Sequence, residues 1–173
     1  MKTNIENIPA IYVSTYRKYN NGSLFGKWVN ITDFDNYDDF VNFCRQLHND
    51  EPDPEFMVQD FEEFPRSLYH ESGLPTEDEF QRIKEYAELD SDERQAYQMY
   101  LDNVNSQAEL DEFRDHYDGY FRNVEDFAEY ICDECGYLEQ IPNFLRDCID
   151  FGAVWRTLET GGDFYEYDGH IFH

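Results

Sequence analysis

Positive charge is the feature that this sequence has least of. Only 13 of its 173 residues are Lys or Arg, whereas 39 are Asp or Glu, and the formal net charge at pH 7 is -26. Proteins that hold nucleic acid do so with Lys- and Arg-rich surfaces that neutralise phosphates. So few cations exclude that class, and we expect no direct contact with nucleic acid.

Long apolar runs are absent as well. No stretch is apolar enough to span a membrane, and the first residues, MKTNIENIPAIYVSTY, lack the continuous apolar region of a secretory signal. The sequence therefore predicts a cytoplasmic protein without membrane contact. In that compartment cysteines are expected to be reduced.

The four cysteines do not form a recognisable metal or redox site. Cys132 and Cys135 have the spacing of such a pair, but neither a second pair nor paired histidines accompany them. Both lie on the apolar stripe of a predicted helix, and Cys44 and Cys148 lie on similar stripes. Buried packing is therefore favoured over zinc binding or redox chemistry.

Motifs for catalysis are missing too. The sequence has no phosphate-binding glycine loop and no nucleophile elbow, and among 39 carboxylates no pair is singled out for glycoside hydrolysis. Asp33-Phe34-Asp35 and Asp90-Ser91-Asp92 lack the glycine and the ligand pattern of an EF-hand loop. We therefore expect no enzymatic activity, no cofactor and no metal, and a metal-dependent hydrolase is the least favoured alternative.

Aromatic side chains, by contrast, are abundant. The chain has 14 Tyr, 15 Phe and 2 Trp, which supply the apolar surface that a disordered acidic chain lacks. Because this much like charge repels itself, the acidity is more easily explained by a partner than by the fold. Solubility and halophilic adaptation are the alternative explanations.

The amount of charge is compatible with imitation of DNA. B-DNA carries one negative charge per roughly 1.7 Å of its axis, so 26 surplus charges correspond to roughly 44 Å of duplex, and a dimer to roughly twice that. The natural partner of such a surface is the basic track of a DNA-binding protein.

Three segments are distinguished by their patterns. The first, 1–65, has strand patterns near 10–16, 26–32 and 55–61, with turn residues Asn20-Asn21-Gly22-Ser23 between the first two. Apolar residues at helical spacing predict a helix around Phe40–Leu47, between the second and third strands. This segment is therefore predicted to be a small α+β unit that contains a β-hairpin.

The second segment, 66–105, is predicted to be helical. Thr76 and Glu79 form a capping-box pattern at the start of one helix, and Asp90 and Glu93 form another at the start of the next. On the first of these helices the apolar residues share one face, and the carboxylates lie opposite them.

The third segment, 106–173, contains similar patterns for the starts and ends of helices. Ser106 and Glu109 form a further capping-box pattern, and a helix from about Val124 ends at Gly136. Pro142 is predicted to start a helix with the stripe Phe144, Leu145, Cys148 and Ile149. The last residues predict a hairpin with a type I′ turn at Asp168-Gly169.

The predicted fold class is α+β, an elongated chain of three small domains. These are an N-terminal antiparallel sheet with a helix, a central acidic helical domain, and C-terminal helices with a terminal β-hairpin. Since a helix rises about 1.5 Å per residue, one edge of it presents a carboxylate every 5 Å or so, comparable with the 3.4 Å or so between charges on one DNA strand. The predicted DNA-like surface consists of Asp35, Asp38, Asp39, Glu77, Asp78, Glu85, Glu88, Asp92, Glu93, Glu109, Asp111, Glu112, Glu125, Asp126, Glu129 and Asp133.

Two stretches resemble a known protein family. Ile11-Tyr12-Val13 followed by Lys18–Trp28 (KYNNGSLFGKW) is similar to the opening of the ArdA antirestriction family. The stretch from Glu129 to Leu158, with Leu145–Phe151 (LRDCIDF) at its centre, resembles the signature of that family. The resemblance extends in order over nearly the whole chain.

The resemblance implies a function by binding. Members of this family are elongated dimers of three small domains whose acidic surface imitates bent B-form DNA. They occupy the DNA-binding groove of type I restriction-modification enzymes and so protect incoming mobile DNA. An acidic adaptor that binds another basic DNA-binding protein, without imitating the shape of DNA, is the alternative function.

The resemblance also implies a dimer contact near the signature, with packing inside the third segment as the alternative role of these residues. Cys148 and Phe151 stand where the family signature has tyrosines. The candidate residues are Phe144, Leu145, Cys148, Ile149, Asp150, Phe151, Trp155 and Arg156.

Overall fold

The computed structural model describes residues 8–69 and 73–173. In this part of the chain the fold is mixed, with eight α-helices and six strands arranged in two small antiparallel sheets, which confirms the predicted α+β class. The described residues as far as Leu110 form one compact unit, and Asp111–His173 form a second. The division into three domains stays a prediction.

The first unit is built on the sheet of β1 (Ala10–Thr15), β2 (Lys27–Asn30) and β3 (Phe56–Glu62). The strand order is β2-β1-β3 and both pairings are antiparallel, so β1 is the central strand. Ile11 and Val13 are fully buried, as expected of alternate residues on the core face of a central strand.

The predicted hairpin forms, but its connection differs from the prediction. Instead of a simple turn, residues Tyr16–Asn20 form a short helix, α1, directly after β1. The buried Thr15 caps this helix, since its Oγ1 accepts a hydrogen bond from the Lys18 amide at 3.2 Å. Gly22 then reverses the chain with a φ of +74°.

Three longer helices complete this unit, and all three were predicted. They are α2 (Tyr37–Leu47), α3 (Glu77–Glu88) and α4 (Ser91–Asn103). Both expected capping boxes are present, at the starts of α3 and α4. Phe40 of α2 stacks on Phe80 of α3 with ring centroids 5.3 Å apart, which joins two helices that lie far apart in the sequence.

The predicted capping box at Ser106 is wrong, because the next helix, α5 (Leu110–His116), begins only after Glu109. The Ala108 carbonyl accepts hydrogen bonds from Arg82 Nη2 at 2.9 Å and from Tyr97 Oη at 2.7 Å. These bonds hold the connection in an irregular conformation, and the local sequence pattern gives no sign of them.

The second unit contains α5 from Asp111 onward, the other sheet and three further helices. Its strands are β4 (Tyr117–Tyr120), β5 (Tyr165–Tyr167) and β6 (His170–Phe172), in the order β4-β6-β5. Its helices are α6 (Val124–Glu134), α7 (Asn143–Arg146) and α8 (Phe151–Gly161).

The core of this unit lies between the helices and the sheet. Phe127 and Ala128 of α6, Trp155 of α8 and Ile171 of β6 form its buried cluster. The predicted terminal hairpin is confirmed, since Asp168 and Gly169 have φ values of +51° and +85°, as a type I′ turn requires. Gly136 also follows α6 with a φ of +70°, as expected of a helix stop.

Three features of the second unit differ from the sequence expectation. The helix from Pro142 is the single turn α7, because the chain leaves it after Arg146 through two successive turns. Helix α8 was not expected from the sequence; its start is capped by Asp150, which accepts a hydrogen bond from the Ala153 amide at 2.9 Å. Strand β4, which pairs with β6, was not expected either.

A partly buried polar cluster fixes the start of α1 against the turn after α2. Lys18 Nζ donates to Asp50 Oδ1 at 2.8 Å, to Glu51 Oε1 at 3.0 Å and to His48 Nδ1 at 3.1 Å. The same Glu51 oxygen accepts the hydroxyl of Thr15 at 2.7 Å. One ammonium group therefore holds three side chains from a distant part of the chain.

The cluster shifts the titration of its members. The hydrogen bond from Thr15 lowers the pKa of Glu51 below its ordinary value, and the hydrogen bond from Lys18 lowers the pKa of Asp50. Burial, followed by the positive charge of Lys18, lowers the pKa of His48. His48 is therefore neutral in the fold, with Nδ1 accepting a hydrogen bond from the Lys18 ammonium group.

We expect Lys18→Met to lower the free energy of opening of β1, because it removes the cation that Glu51 and Asp50 share. Hydrogen exchange of the Ile11 and Val13 amides measures this energy. Arg17→Met is the matched control, since Arg17 lies on the same helix and is exposed, and it should change the value by less than about 0.5 kcal/mol. Equal effects of the two substitutions would contradict this role of the cluster.

We also expect this unit to lose stability as the pH falls from 7.5 to 5.5. The pKa of His48 in the fold lies below that of an unfolded histidine, about 6.5, so the unfolded chain binds a proton first. In His48→Asn an amide oxygen takes the place of Nδ1 and does not titrate. As the pH falls, the free energy of opening of β1, corrected for intrinsic exchange rates, should therefore decrease more in the wild-type protein than in the variant. If the difference in free energy of opening between the wild-type protein and His48→Asn stays constant from pH 7.5 to 5.5, His48 does not take up a proton on unfolding.

Candidate functional site

The surplus of carboxylates leaves most of them without a cationic partner. If every Lys and Arg paired with one acid, 26 carboxylates would remain. All the acids predicted for the DNA-like surface reach solvent in the fold. Glu85, Glu93 and Glu112 are half-buried, and the others are exposed.

Helix α3 presents one acidic face. Its cap at Thr76 places Glu77 and Asp78 in the first turn, where carboxylates interact favourably with the helix dipole. Phe80 and Ile83 are buried on the opposite side. This confirms the predicted separation of carboxylates from apolar residues, and Glu85 and Glu88 continue the acidic side toward the end of the helix.

Helix α6 carries the most regular row. Glu125, Glu129 and Asp133 follow one another at intervals of four residues, which corresponds to steps of about 6 Å along the helix axis. All three are exposed, while Phe127 and Ala128 between them are buried. Asn123 caps the helix by accepting a hydrogen bond from the Asp126 amide at 2.8 Å, so the row starts at a defined position.

Several cations are directed at backbone carbonyls. Lys84 Nζ donates to the carbonyl of Phe34 at 2.7 Å and to that of Asp35 at 3.1 Å. In the second unit Arg146 Nε donates to the Ile141 carbonyl at 3.2 Å. A carbonyl satisfies the cation without neutralising a carboxylate, so these bonds preserve the negative charge of the surface. Arg82 and Arg94 likewise donate to the Ala108 and Ala87 carbonyls.

Other predicted acids have local structural roles as well. Asp39 accepts a hydrogen bond from Asn36 Nδ2 at 2.8 Å at the start of α2, and Glu93 completes the capping box of α4. Glu109 lies 3.7 Å from Arg82 and Asp111 lies 3.9 Å from Arg114. Because both carboxylates are exposed, at 66% and 98%, and ion pairs of this length are weak, these two acids still contribute negative charge to the surface.

The structure separates the residues of the predicted signature into three groups. Phe144 and Leu145 are 76% and 43% exposed, and Cys148 just beyond α7 is exposed as well. Trp155 lies in the core, with its ring 5.9 Å from that of Phe127. The other members are intermediate or have polar roles: Ile149 and Phe151 are half-buried, and Arg156 lies 3.7 Å from the capping residue Asp150.

Sequence reasoning missed two exposed aromatic residues of the same unit, Tyr130 and Tyr137, which are 45% and 59% exposed. Tyr130 lies on the solvent side of α6, and Tyr137 follows the glycine that ends this helix. Helical periodicity could have indicated the exposure of Tyr130, because this residue falls between the apolar and acidic sides of the predicted helix.

The cysteines divide in a similar way. Cys44 is fully buried, and burial raises the pKa of its thiol to about 12. Cys132 is half-buried, but Cys135 and Cys148 are exposed, so the expectation of buried packing is right for Cys44 and wrong for these two. Both exposed cysteines lie just beyond the end of a helix, where the helical stripe no longer applies.

Residues 8–69 and 73–173 contain no group of three or more His, Cys, Asp or Glu side chains arranged to hold a metal ion. Within the same ranges, none of the helices combines the length and the apolar character needed to cross a membrane.

Two comparisons with known proteins give different results. The search of curated proteins finds no match. The family model described as "Antirestriction protein (ArdA)" matches residues 11–173. The match starts in β1 and includes both acidic helices and the whole second unit. It confirms the resemblance noted in the sequence, and the chain belongs to the ArdA family of antirestriction proteins.

Proposed function

We propose that this protein blocks restriction by imitating B-form DNA and occupying the DNA-binding groove of a type I restriction-modification enzyme. The observation that carries the proposal is the exposure of carboxylate rows on α3 and α6, on the sides of these helices opposite their buried residues. Membership of an antirestriction family supports it. In this role the protein protects incoming mobile DNA.

The proposed mechanism is competitive binding. Basic residues that hold phosphates in the enzyme pair instead with carboxylates, and both surfaces release their counterions. The row on α6 has one carboxylate about every 6 Å along the helix axis, whereas B-DNA carries one charge per roughly 1.7 Å of its axis. One such row alone therefore does not reach the charge density of a duplex. Binding by many weak pairs predicts strong inhibition at low salt and a steep loss as salt rises.

We further propose that the protein acts as a homodimer through the exposed residues of the signature. Phe144 and Leu145 of α7 and Cys148 just after it form a small exposed apolar surface, and Tyr137 is exposed in the same unit. An exposed apolar patch on an otherwise acidic protein marks a contact site. Two copies together carry twice the surplus charge of one, corresponding to a longer DNA track.

The competitive mechanism predicts that single charge reversals are tolerated and that multiple reversals are not. Each exposed pair contributes about 1 kcal/mol or less, so Glu129→Lys alone should weaken inhibition roughly fivefold or less. The triple variant Glu125→Lys, Glu129→Lys, Asp133→Lys should weaken it by roughly two orders of magnitude and reduce its salt dependence. The assay titrates the protein against a purified type I methyltransferase bound to labelled duplex, at several salt concentrations.

The triple variant with Gln, Gln and Asn at the same positions is the matched control, and it should give an intermediate result. Circular dichroism confirms that each variant is folded. A single reversal that abolishes displacement in a folded protein would contradict the distribution of charge over many residues. If the wild-type protein displaces duplex from none of several type I enzymes, the acidic adaptor becomes the better explanation.

The dimer predicts that Cys148 is protected at high protein concentration. Its thiol is exposed in the isolated chain, as is that of Cys135, which serves as the internal control. Labelling with a maleimide should slow for Cys148 alone as the concentration rises. Phe144→Asp should abolish this protection and halve the mass measured by sedimentation equilibrium. A wild-type protein that sediments as a monomer at every concentration would exclude the dimer.

A further inference from the structure

Helix α6 carries one large aromatic side chain on its exposed surface. Tyr130 is 45% exposed, and it follows Glu129 of the acidic row directly in the sequence. Among the exposed aromatic side chains of residues 8–69 and 73–173, it is the one that lies on a helix with an acidic side. Tyrosine adds no negative charge to the row, so imitation of phosphates alone does not explain a ring at this position.

The ring of Tyr130 is held by packing on one side. Its centroid lies 5.4 Å from that of Phe121 and 6.4 Å from that of Phe127, which is fully buried. The start of the helix is fixed by the Asn123 cap, whose side chain accepts a hydrogen bond from the Asp126 amide. A ring that is already ordered in this way loses little conformational entropy when it contacts a partner.

Carboxylates border the other side of the ring. Asp126 precedes Tyr130 by four residues and Asp133 follows it by three, so both are its neighbours on the helix surface. Both are exposed. Within the part of the chain that the structure describes, no Lys, Arg or His nitrogen lies within 4.0 Å of either carboxylate. Two carboxylates without a cation from these residues therefore lie beside an exposed aromatic ring.

An aromatic ring beside such carboxylates is suited to a guanidinium group. The planar guanidinium of arginine is weakly hydrated, stacks on an aromatic face and donates from its edge to a carboxylate. The ammonium group of lysine is compact and strongly hydrated, and it cannot stack in this way. The protein itself contains such a contact, since Arg94 Cζ lies 5.4 Å from the centroid of the Tyr86 ring. In the described residues no Lys or Arg lies over the ring of Tyr130.

We propose that Tyr130, together with Asp126 and Asp133, binds an arginine side chain of the target enzyme that otherwise contacts a DNA phosphate. This inference rests on the proposed function, and it adds a residue and a ligand class to it. The carboxylates supply the negative charge that the phosphate supplies. The ring adds a contact that a phosphate does not offer, so this protein gains affinity for that arginine over a DNA of equal charge.

Two other occupants fit the structure less well. In a two-fold dimer the same surface of each copy meets itself, so contact through Tyr130 would bring the carboxylates of two α6 helices together. Nucleic acid has bases that stack on tyrosine, but its phosphates are repelled by the net charge of -26. An arginine is attracted by the same carboxylates that repel these partners.

The ring and the carboxylates should affect the salt dependence of binding differently. Tyr130→Leu keeps an apolar side chain beside Phe121 and Phe127 but removes the aromatic face, and it changes no charge. Binding should therefore weaken by a similar factor at every salt concentration, with the slope of affinity against salt unchanged. Loss of carboxylates should reduce that slope instead.

The first experiment is displacement of labelled duplex from a purified type I methyltransferase at four salt concentrations. We expect Tyr130→Leu to weaken displacement about fivefold, and Tyr130→Phe, which keeps a ring, about twofold or less. Tyr120 is 64% exposed on β4 of the same unit, and its ring lies 5.3 Å from that of His170. Tyr120→Leu is therefore the matched control and should have no effect. Circular dichroism checks the folding of each variant.

A titration of the isolated protein tests the ligand class without the enzyme. The probes are an amidated arginine tripeptide and the matched lysine tripeptide. The readout is the aromatic NMR signal of Tyr130, which is assigned by its absence in Tyr130→Phe. We expect the arginine peptide to saturate the shift of this signal at a severalfold lower concentration than the lysine peptide. Asp126→Asn combined with Asp133→Asn should weaken the arginine response severalfold, and the signal of Tyr120 should not distinguish the two peptides.

Each possible outcome supports or overturns the inference. It fails alone if the wild-type protein displaces the duplex and folded Tyr130→Leu does so equally well, or if the two peptides act alike on Tyr130. A lower mass of Tyr130→Leu in sedimentation would assign the ring to a contact with a second copy and overturn it as well. If Tyr130→Leu does not fold, the titration of the wild-type protein still decides.

Failure of the proposed function gives a different pattern. The wild-type protein would then displace duplex from none of several type I enzymes, whatever residue stands at position 130. A preference of the Tyr130 signal for the arginine peptide in that case would retain the arginine contact for another basic partner.

Discussion

Repulsion among carboxylates is the constraint on which the rest of this structure depends. With 39 acids and 13 Lys or Arg residues, electrostatics opposes compaction, so another interaction must supply the cohesion. Aromatic contacts do so in both units. Phe40 stacks on Phe80 at 5.3 Å in the first, and Phe127 meets Phe164 at 5.0 Å in the second. These large rings give each small core enough apolar area to offset the repulsion at its surface.

Several of the few cations are arranged so that they do not cancel the surface charge. Lys84 and Arg146 bind backbone carbonyls, and Lys18 pairs with Asp50 and Glu51 in a cluster that connects separate parts of the first unit. Cations used in this way stabilise turns and connections inside the molecule. The acidic sides of α3 and α6 are then left to face solvent, and an acidic surface is compatible with a stable fold.

How much could be predicted from the sequence depended on whether the signal was local. The helices α3 and α4 begin with capping boxes and α6 ends at a glycine, so their positions and their acidic sides followed from neighbouring residues. The start of α5 is set by hydrogen bonds to Ala108 from distant residues, which no local pattern contains. In the signature, periodicity placed Phe144 and Cys148 on the apolar stripe of a longer helix, but α7 is a single turn that ends at Arg146, and both residues are exposed. Conversely, Trp155 lies in the core because it belongs to α8, a helix that was not predicted.

An inhibitor with an acidic surface needs contacts other than charge to be specific for one target. A surface that carries only negative charge is attracted to every basic groove, and differences between such grooves change its affinity little. Specificity requires contacts that a wrong partner cannot match. Leu24 and Phe144, which are 88% and 76% exposed, are apolar side chains in solvent and differ in this respect from the acidic sides of α3 and α6. Under the proposed mimicry, a change in target range should therefore arise at such apolar side chains more readily than among the interchangeable carboxylates of α6.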